Sequence, residues 1–78
     1  MSDLTIHNIN VSYDESDERV RNFVKYLTRE DKKDEMKGYY NQALQNPDGK
    51  LNLSDQENND FTLVCSAGFN CTLGLRGM

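Results

Sequence analysis

Two cysteines, Cys65 and Cys71, have the greatest potential of all residues in this chain for covalent or metal chemistry. Two sulfur ligands fall short of the four that a structural zinc site normally has, and the only histidine, His7, lies at the opposite end of the sequence. A nucleophilic cysteine needs a nearby base, whereas His7 stands inside a strand-like segment, where a structural role is commoner. We therefore expect no metal, no other cofactor and no enzymatic activity.

A calcium-binding loop is the second chemical possibility, because polar residues of the segment 46–55 surround Gly49 with a spacing similar to that of an EF-hand. The ligand pattern fails at three positions. Leu44 stands where the first ligand belongs, Pro47 lies inside the loop, and Asp55 replaces the longer bidentate glutamate. A calcium site is therefore not expected here.

Length and charge restrict the remaining classes of function. A chain of 78 residues has room for one small core, so we predict a single domain over 1–78. The net charge of −4 and the absence of a basic stripe disfavour direct binding of nucleic acid or of an anionic membrane. Neither a signal-peptide pattern nor a long apolar run is present, so a cytoplasmic location with reduced thiols is expected, although one short disulfide is possible.

The first third of the chain is predicted to hold a strand and a helix. Residues 3–13 alternate like a strand, with Leu4 and Ile6 on one face and the later apolar residues on the other, and a bulge or bend near Asn8 would explain the switch of face. A helix follows, for which Ser16 or Asp14 is the predicted N-cap. Its buried stripe is predicted to consist of Val20, Phe23, Val24 and Leu27.

A second helix is predicted between Thr28 and the turn at 46–49. Its apolar positions at helical spacing are Met36, Tyr39 or Tyr40, Ala43 and Leu44. The sequence Asn-Pro-Asp-Gly at 46–49 is typical of a tight turn and must end the helix. A short strand at 50–53 and a polar connection at 54–60 follow.

The C-terminal segment, from Phe61 onward, predicts a β-hairpin whose register follows from the apolar pattern. A loop of three residues, 67–69, pairs Cys65 with Cys71 and places every large apolar side chain except Val64 and the loop residue Phe69 on one face. A loop of two residues would divide the apolar side chains between the faces. We therefore predict the longer loop, with both cysteines in the core.

The predicted fold is a small α+β domain with the element order β-α-α-β-β-β, in which the antiparallel C-terminal hairpin packs on two helices. Phe69 at the hairpin tip has no evident core partner, and Tyr39 and Tyr40 cannot both face inward from one helix. We expect these three aromatic residues to form a partner-binding surface with an acidic rim. The predicted function is that of a non-enzymatic regulatory or inhibitory protein, of the kind that mobile genetic elements often encode, which binds a larger protein.

Two alternatives remain open from the sequence. The acidic N-terminal part and the C-terminal segment with Ser66, Thr72 and the two cysteines resemble the leader and the modifiable core of a ribosomally made peptide precursor. The chain is alternatively a structural protein that self-associates as a homodimer, because a terminal hairpin can leave an unpaired edge strand.

Overall fold

Five strands form one mixed sheet, and two α-helices cover one of its faces in a computed structural model that describes residues 2–75. The predicted α+β class is confirmed, with the helices lying between an N-terminal and a C-terminal group of strands. Residue 1 and residues 76–78, which the predicted domain 1–78 includes, lie outside the described residues. The elements are β1 (Ser2–Ile6), β2 (Ile9–Tyr13), α1 (Glu18–Leu27), α2 (Lys33–Gln45), β3 (Lys50–Ser54), β4 (Asp60–Ser66) and β5 (Asn70–Leu75).

The N-terminal strand differs from the prediction, because residues 3–13 form a hairpin instead of one strand. His7 and Asn8 both have positive φ, at 50° and 70°, and they reverse the chain as a two-residue turn. Ile6 therefore pairs with Ile9, and Leu4 pairs with Val11, so that all four side chains lie on the same face. The apparent switch of face near Asn8 is the signature of this turn, and the element order becomes β-β-α-α-β-β-β.

Helix α1 buries the predicted stripe of Val20, Phe23, Val24 and Leu27. Its N-cap is Asp17, whose carboxylate accepts a hydrogen bond from the amide of Arg19 at 2.9 Å. The prediction of Ser16 or Asp14 as the cap was wrong, because the Asp14 carboxylate instead accepts from the amide and hydroxyl of Ser16 in the preceding turn. The helix begins at Glu18, one residue later than a cap at Ser16 would place it and three residues later than a cap at Asp14 would.

A single 3-10 turn, Glu30–Lys32, leads into α2, which buries Met36, Tyr40 and Ala43. Leu44, predicted to belong to the buried stripe, is 41% exposed, because it lies beside the stripe that the other three define. The turn at 46–49 is confirmed by a hydrogen bond of 3.0 Å from the Gly49 amide to the Asn46 carbonyl. Among residues 2–75, no helix is long and apolar enough to cross a membrane.

The strand order across the sheet is β1-β2-β5-β4-β3, and the central pair, β2 with β5, is parallel. The predicted C-terminal hairpin is confirmed residue by residue, including Ser66 opposite Asn70, Cys65 opposite Cys71 and Phe61 opposite Leu75. Strand β3 pairs antiparallel with the outer side of β4. The two hairpins are therefore joined into one sheet by the parallel pair alone.

The core lies between the sheet and the helices, and an aromatic pair joins α1 to β4. The ring of Phe23 stacks on the ring of Phe61 with their centroids 4.5 Å apart. Offset stacking of buried aromatic rings stabilises a fold by about 0.5–1.5 kcal/mol beyond the burial of area. Ile6, Ile9 and Val11 extend the same core under the first hairpin, so both hairpins depend on the helices for burial.

The expectation of reduced thiols was wrong, because Cys65 and Cys71 form a disulfide. The register places the two residues directly opposite each other on adjacent strands, with their Cα atoms 4.1 Å apart and both side chains on the core face. Side chains of opposed residues are the closest cross-strand neighbours in an antiparallel pair, so the sulfurs can bond without moving the backbone. The bridge closes the hairpin immediately below its tip.

Reduction of this disulfide is expected to lower the free energy of unfolding by about 2 kcal/mol, because a short cross-link removes a moderate amount of entropy from the unfolded chain. Urea denaturation of the same protein with and without a thiol reductant measures the difference. Intact mass of the oxidised sample under denaturing conditions serves as the control for the bridge. Superimposable curves, or two free thiols in the oxidised sample, would contradict the bridge as a stabilising element.

Candidate functional site

The tip of the C-terminal hairpin carries an exposed aromatic side chain that is held in place from below. Phe69 is 56% exposed, and its ring stacks on the buried ring of Tyr40 with their centroids 5.2 Å apart. The Tyr40 hydroxyl accepts a hydrogen bond from the Phe69 amide at 3.0 Å and donates one to the Ser66 carbonyl at 3.3 Å. Helix α2 thereby fixes both the backbone and the ring of the tip.

The backbone of Phe69 has a conformation that bulky residues rarely adopt. Its φ is 62°, in the left-handed region that favours glycine or asparagine. A non-glycine residue in this region costs about 1–2 kcal/mol. This strain offsets part of the stability that the stacked ring contributes, and strain of this kind is concentrated at functional sites.

A groove of about 290 Å³ lies beside Phe69, between the two hairpin tips and the first half of α2. We call it the tip groove. Lys33 and Lys37 lie along its helical side, and the Asn10 amide donates to the Phe69 carbonyl at 2.8 Å to hold the two tips together. Its lining residues are His7, Asn8, Ile9, Lys33, Lys37, Tyr40, Asn41 and Phe69.

His7 has a structural position at the edge of this groove. Its Nε2 lies 3.0 Å from the carbonyl oxygens of Leu27 and of Arg29 at the end of α1. Both partners are acceptors, so we assign the ring proton to Nε2. The side chain thus ties the first hairpin turn to the end of α1. This is a structural role, as predicted, but His7 performs it from a turn and not from inside a strand.

A second groove, of about 320 Å³, lies on the other side of α2, and we call it the Tyr39 groove. The Tyr26 hydroxyl donates to the Glu35 carboxylate at 3.1 Å, and the Lys32 ammonium lies 4.9 Å from the centroid of the Tyr26 ring. Lys32 also approaches Glu35 at 3.8 Å. The residues that line the Tyr39 groove are Asn22, Phe23, Tyr26, Glu35, Tyr39, Ser54, Asp55, Gln56 and Glu57.

The three predicted partner-binding residues therefore divide between two places. Phe69 and Tyr40 lie together in the tip groove, where Tyr40 is only 6% exposed and supports Phe69 from below. Tyr39 is partly buried in the other groove. The acidic rim expected around all three surrounds Tyr39, whereas the charged side chains beside Phe69 are lysines.

Residues 2–75 contain no group of three or more histidine, cysteine, aspartate or glutamate side chains able to hold a metal ion. The carboxylate of Asp55, which the calcium pattern singled out, accepts instead from the amides of Glu57 and Asn59 and from the Asn59 side chain. Those hydrogen bonds hold the pKa of Asp55 below its usual value, and the one from the Asn59 side chain has the largest effect. Its role there is to shape the loop between β3 and β4.

Sequence reasoning did not identify Lys33 and Lys37 as site residues. A signal for them was present, because positions 33, 37 and 40 share one face of a helix. Because Tyr40 lies beneath the hairpin tip, both lysines on its helix face lie at the same end of the sheet as the tip. The missing information was the position of the tip relative to α2.

Comparisons with protein-family models, with curated proteins and with solved structures find no match to this chain.

Tyr39 is expected to ionise at a higher pH in the folded protein than in the unfolded chain. Burial, and secondarily the Glu35 carboxylate beside it, raises the pKa of Tyr39 to about 12 from an ordinary value of 10.0. Because this pKa is raised in the folded state, the associated stability is complete below pH 10.0 and is lost as the pH rises towards 12. Phenolate absorbance during a pH titration, compared between the wild type and Tyr39→Phe, measures the step. A titration step at the ordinary value that disappears in the variant would refute the assignment.

Proposed function

We propose that this protein is a non-enzymatic regulatory or inhibitory protein that docks on a larger protein partner through its hairpin tip. The observation that carries the proposal is the exposed ring of Phe69, which lies on a strained backbone and stacks on the buried ring of Tyr40. An aromatic anchor that is ordered before binding loses little conformational entropy when a partner covers it. Such preorganised aromatic residues are frequent hot spots of protein interfaces.

The anchor also has a rigid base. The disulfide Cys65–Cys71 lies directly below the loop, and the Tyr40 hydroxyl bonds to the backbone at both ends of it. A site held on strands and a helix keeps its geometry better than one on a free loop. The proposed partner would therefore meet a tip that keeps one shape, which supports docking as the function.

The alternative of a ribosomally made peptide precursor receives less support from the packing than docking does. Strands β4 and β5 contribute Phe61, Leu63 and Leu73 to the core, and each of the three is at most 1% exposed. Release of this segment by cleavage would remove a large part of the core from the remaining chain. A segment that holds the fold together is a poor candidate for a peptide that must be detached.

Self-association is a second candidate, although the edge predicted for it was wrong, because both strands of the C-terminal hairpin lie inside the sheet. Among residues 2–75 the edge strands are β1 and β3, and β1 carries Leu4, which is 38% exposed. An exposed edge strand is able to pair with a second copy across a two-fold axis. Sedimentation at several protein concentrations decides this candidate, because a species that stays monomeric throughout excludes it.

We also propose a cytoplasmic location. The cytosol normally keeps thiols reduced, so this location requires conditions in which the bridge between Cys65 and Cys71 persists.

Replacement of Phe69 is the direct test of docking. Phe69→Gly relieves the backbone strain and removes the stacked ring, so the two effects largely cancel and the free energy of unfolding should change by less than about 1 kcal/mol. Affinity capture from the source cells, followed by identification of the partner, should fail with this variant. The matched control is Leu44→Ala, which removes an exposed apolar side chain outside the hairpin tip, on α2. This variant should capture the partner as the wild type does.

A second variant tests the support of the anchor. Tyr40→Phe retains the stacked ring but removes the hydroxyl bonds to Phe69 and Ser66, and it should cost about 1 kcal/mol of stability and weaken capture. If Phe69→Gly instead lost several kcal/mol of stability, Phe69 would be a core residue and the docking proposal would be lost. Undiminished capture by a stable Phe69→Gly variant would have the same consequence.

A further inference from the structure

The residues that line the tip groove include two lysines and no acidic side chain. Lys33 and Lys37 are both exposed and stand four residues apart on one face of α2. Within residues 2–75 neither lysine belongs to an ion pair, although the chain has 13 acidic side chains. Like charges at this spacing destabilise a helix by about 0.2–0.5 kcal/mol. An anion in the groove would remove this repulsion.

The same groove has an apolar floor. Ile9 and Tyr40 are buried beneath it, and the exposed ring of Phe69 forms one wall. A volume of about 290 Å³ is sufficient for one large side chain together with parts of its neighbours. The groove thus combines an apolar centre with cationic groups along one side.

From this combination we infer that the tip groove binds an acidic segment of the partner protein, in which an aromatic or aliphatic side chain lies next to carboxylates. The inference rests on the proposed docking function and specifies the chemistry of the partner. The partner's apolar side chain packs against Phe69, while its carboxylates pair with Lys33 and Lys37. Charge complementarity of this type steers association and selects among partners.

A nucleic acid would offer the same elements, namely stacking bases and anionic phosphates, but the charge distribution favours a protein. Single-stranded nucleic acids are bound along extended tracks of cationic groups. Here the cationic groups of the groove are two lysines four residues apart on α2, which do not form an extended track. A short acidic peptide needs only the local pair.

Three capped pentapeptides test the inference against the full chain, with binding followed by amide chemical shifts at low salt. The acidic probe is Asp-Glu-Phe-Glu-Asp, the neutral probe is Asn-Gln-Phe-Gln-Asn, and the basic probe is Lys-Lys-Phe-Lys-Lys. The acidic probe should bind about tenfold more tightly than the neutral one and shift the amides that line the tip groove. Equal binding of all three probes, or shifts confined to other surfaces, would overturn the inference.

Charge reversal separates the local effect from the effect of net charge. In Lys33→Glu/Lys37→Glu the preference for the acidic probe should disappear, and the basic probe should bind more tightly than before. The fold should persist, because glutamate suits the first turns of a helix. The control Lys25→Glu/Lys50→Glu has the same net charge and should keep the wild-type preference, since both residues lie outside the groove. An equal loss in both variants would refute a local site.

The outcomes distinguish this inference from the docking proposal on which it rests. If Phe69→Gly abolishes partner capture while the peptides show no charge preference, docking stands and the acidic partner is rejected. If the acidic probe is preferred but capture is unaffected by Phe69→Gly, docking through the tip is rejected. Tighter binding of an oligothymidylate than of the acidic probe, lost in Lys33→Glu/Lys37→Glu, would assign the groove to nucleic acid and overturn the inference.

Discussion

The parallel pairing of β2 with β5 is the constraint on which the rest of this structure depends. Each of these strands is the second strand of a hairpin, so a parallel arrangement places the turns that precede them at the same end of the sheet. The turn at 7–8 therefore lies beside the loop at 67–69, and the hydrogen bond from Asn10 to Phe69 joins them. An antiparallel pairing would have separated the two turns by the length of a strand. The tip groove exists because this pairing is parallel.

Helix α2 adds the third wall and distributes charge to the two sides of its buried stripe. Met36, Tyr40 and Ala43 face the sheet. Lys33 and Lys37 flank this stripe towards the hairpin tips, whereas Glu35 and Tyr39 flank it towards the loop between β3 and β4. One amphipathic helix thus gives the molecule two grooves of opposite charge. The overall net charge describes neither of them.

The sequence was sufficient to predict contacts between residues close together in the chain, and insufficient to predict contacts between residues far apart in it. The register of the C-terminal hairpin follows from side-chain parity across three loop residues, and the stripe of α1 follows from helical spacing. The same parity argument applies to Leu4, Ile6 and Ile9, but the turn of His7 and Asn8 lacks the glycine that usually marks such a reversal. The pairing of Val11 with Cys71 joins opposite ends of the chain, and no local pattern encodes it.

The candidate site shows the same division. Exposure of Phe69 follows from its place at a hairpin tip, whereas the burial of Tyr40 beneath it depends on how α2 crosses the sheet. The cysteines were placed opposite each other by pattern alone. Their oxidation state was misjudged, because it depends on the surroundings of the protein as well as on the distance between two side chains.

The cross-link below the loop has a consequence for how this molecule can diversify. Cys65 and Cys71 fix the strands on either side of the loop, so the spacing of the loop ends does not depend on which side chains occupy 67–69. Gly68 and Phe69 both have positive φ, so the backbone of the loop still limits which residues can occupy these two positions. Position 67 has no such limit, and a substitution there changes the surface of the tip while the core beneath keeps its packing.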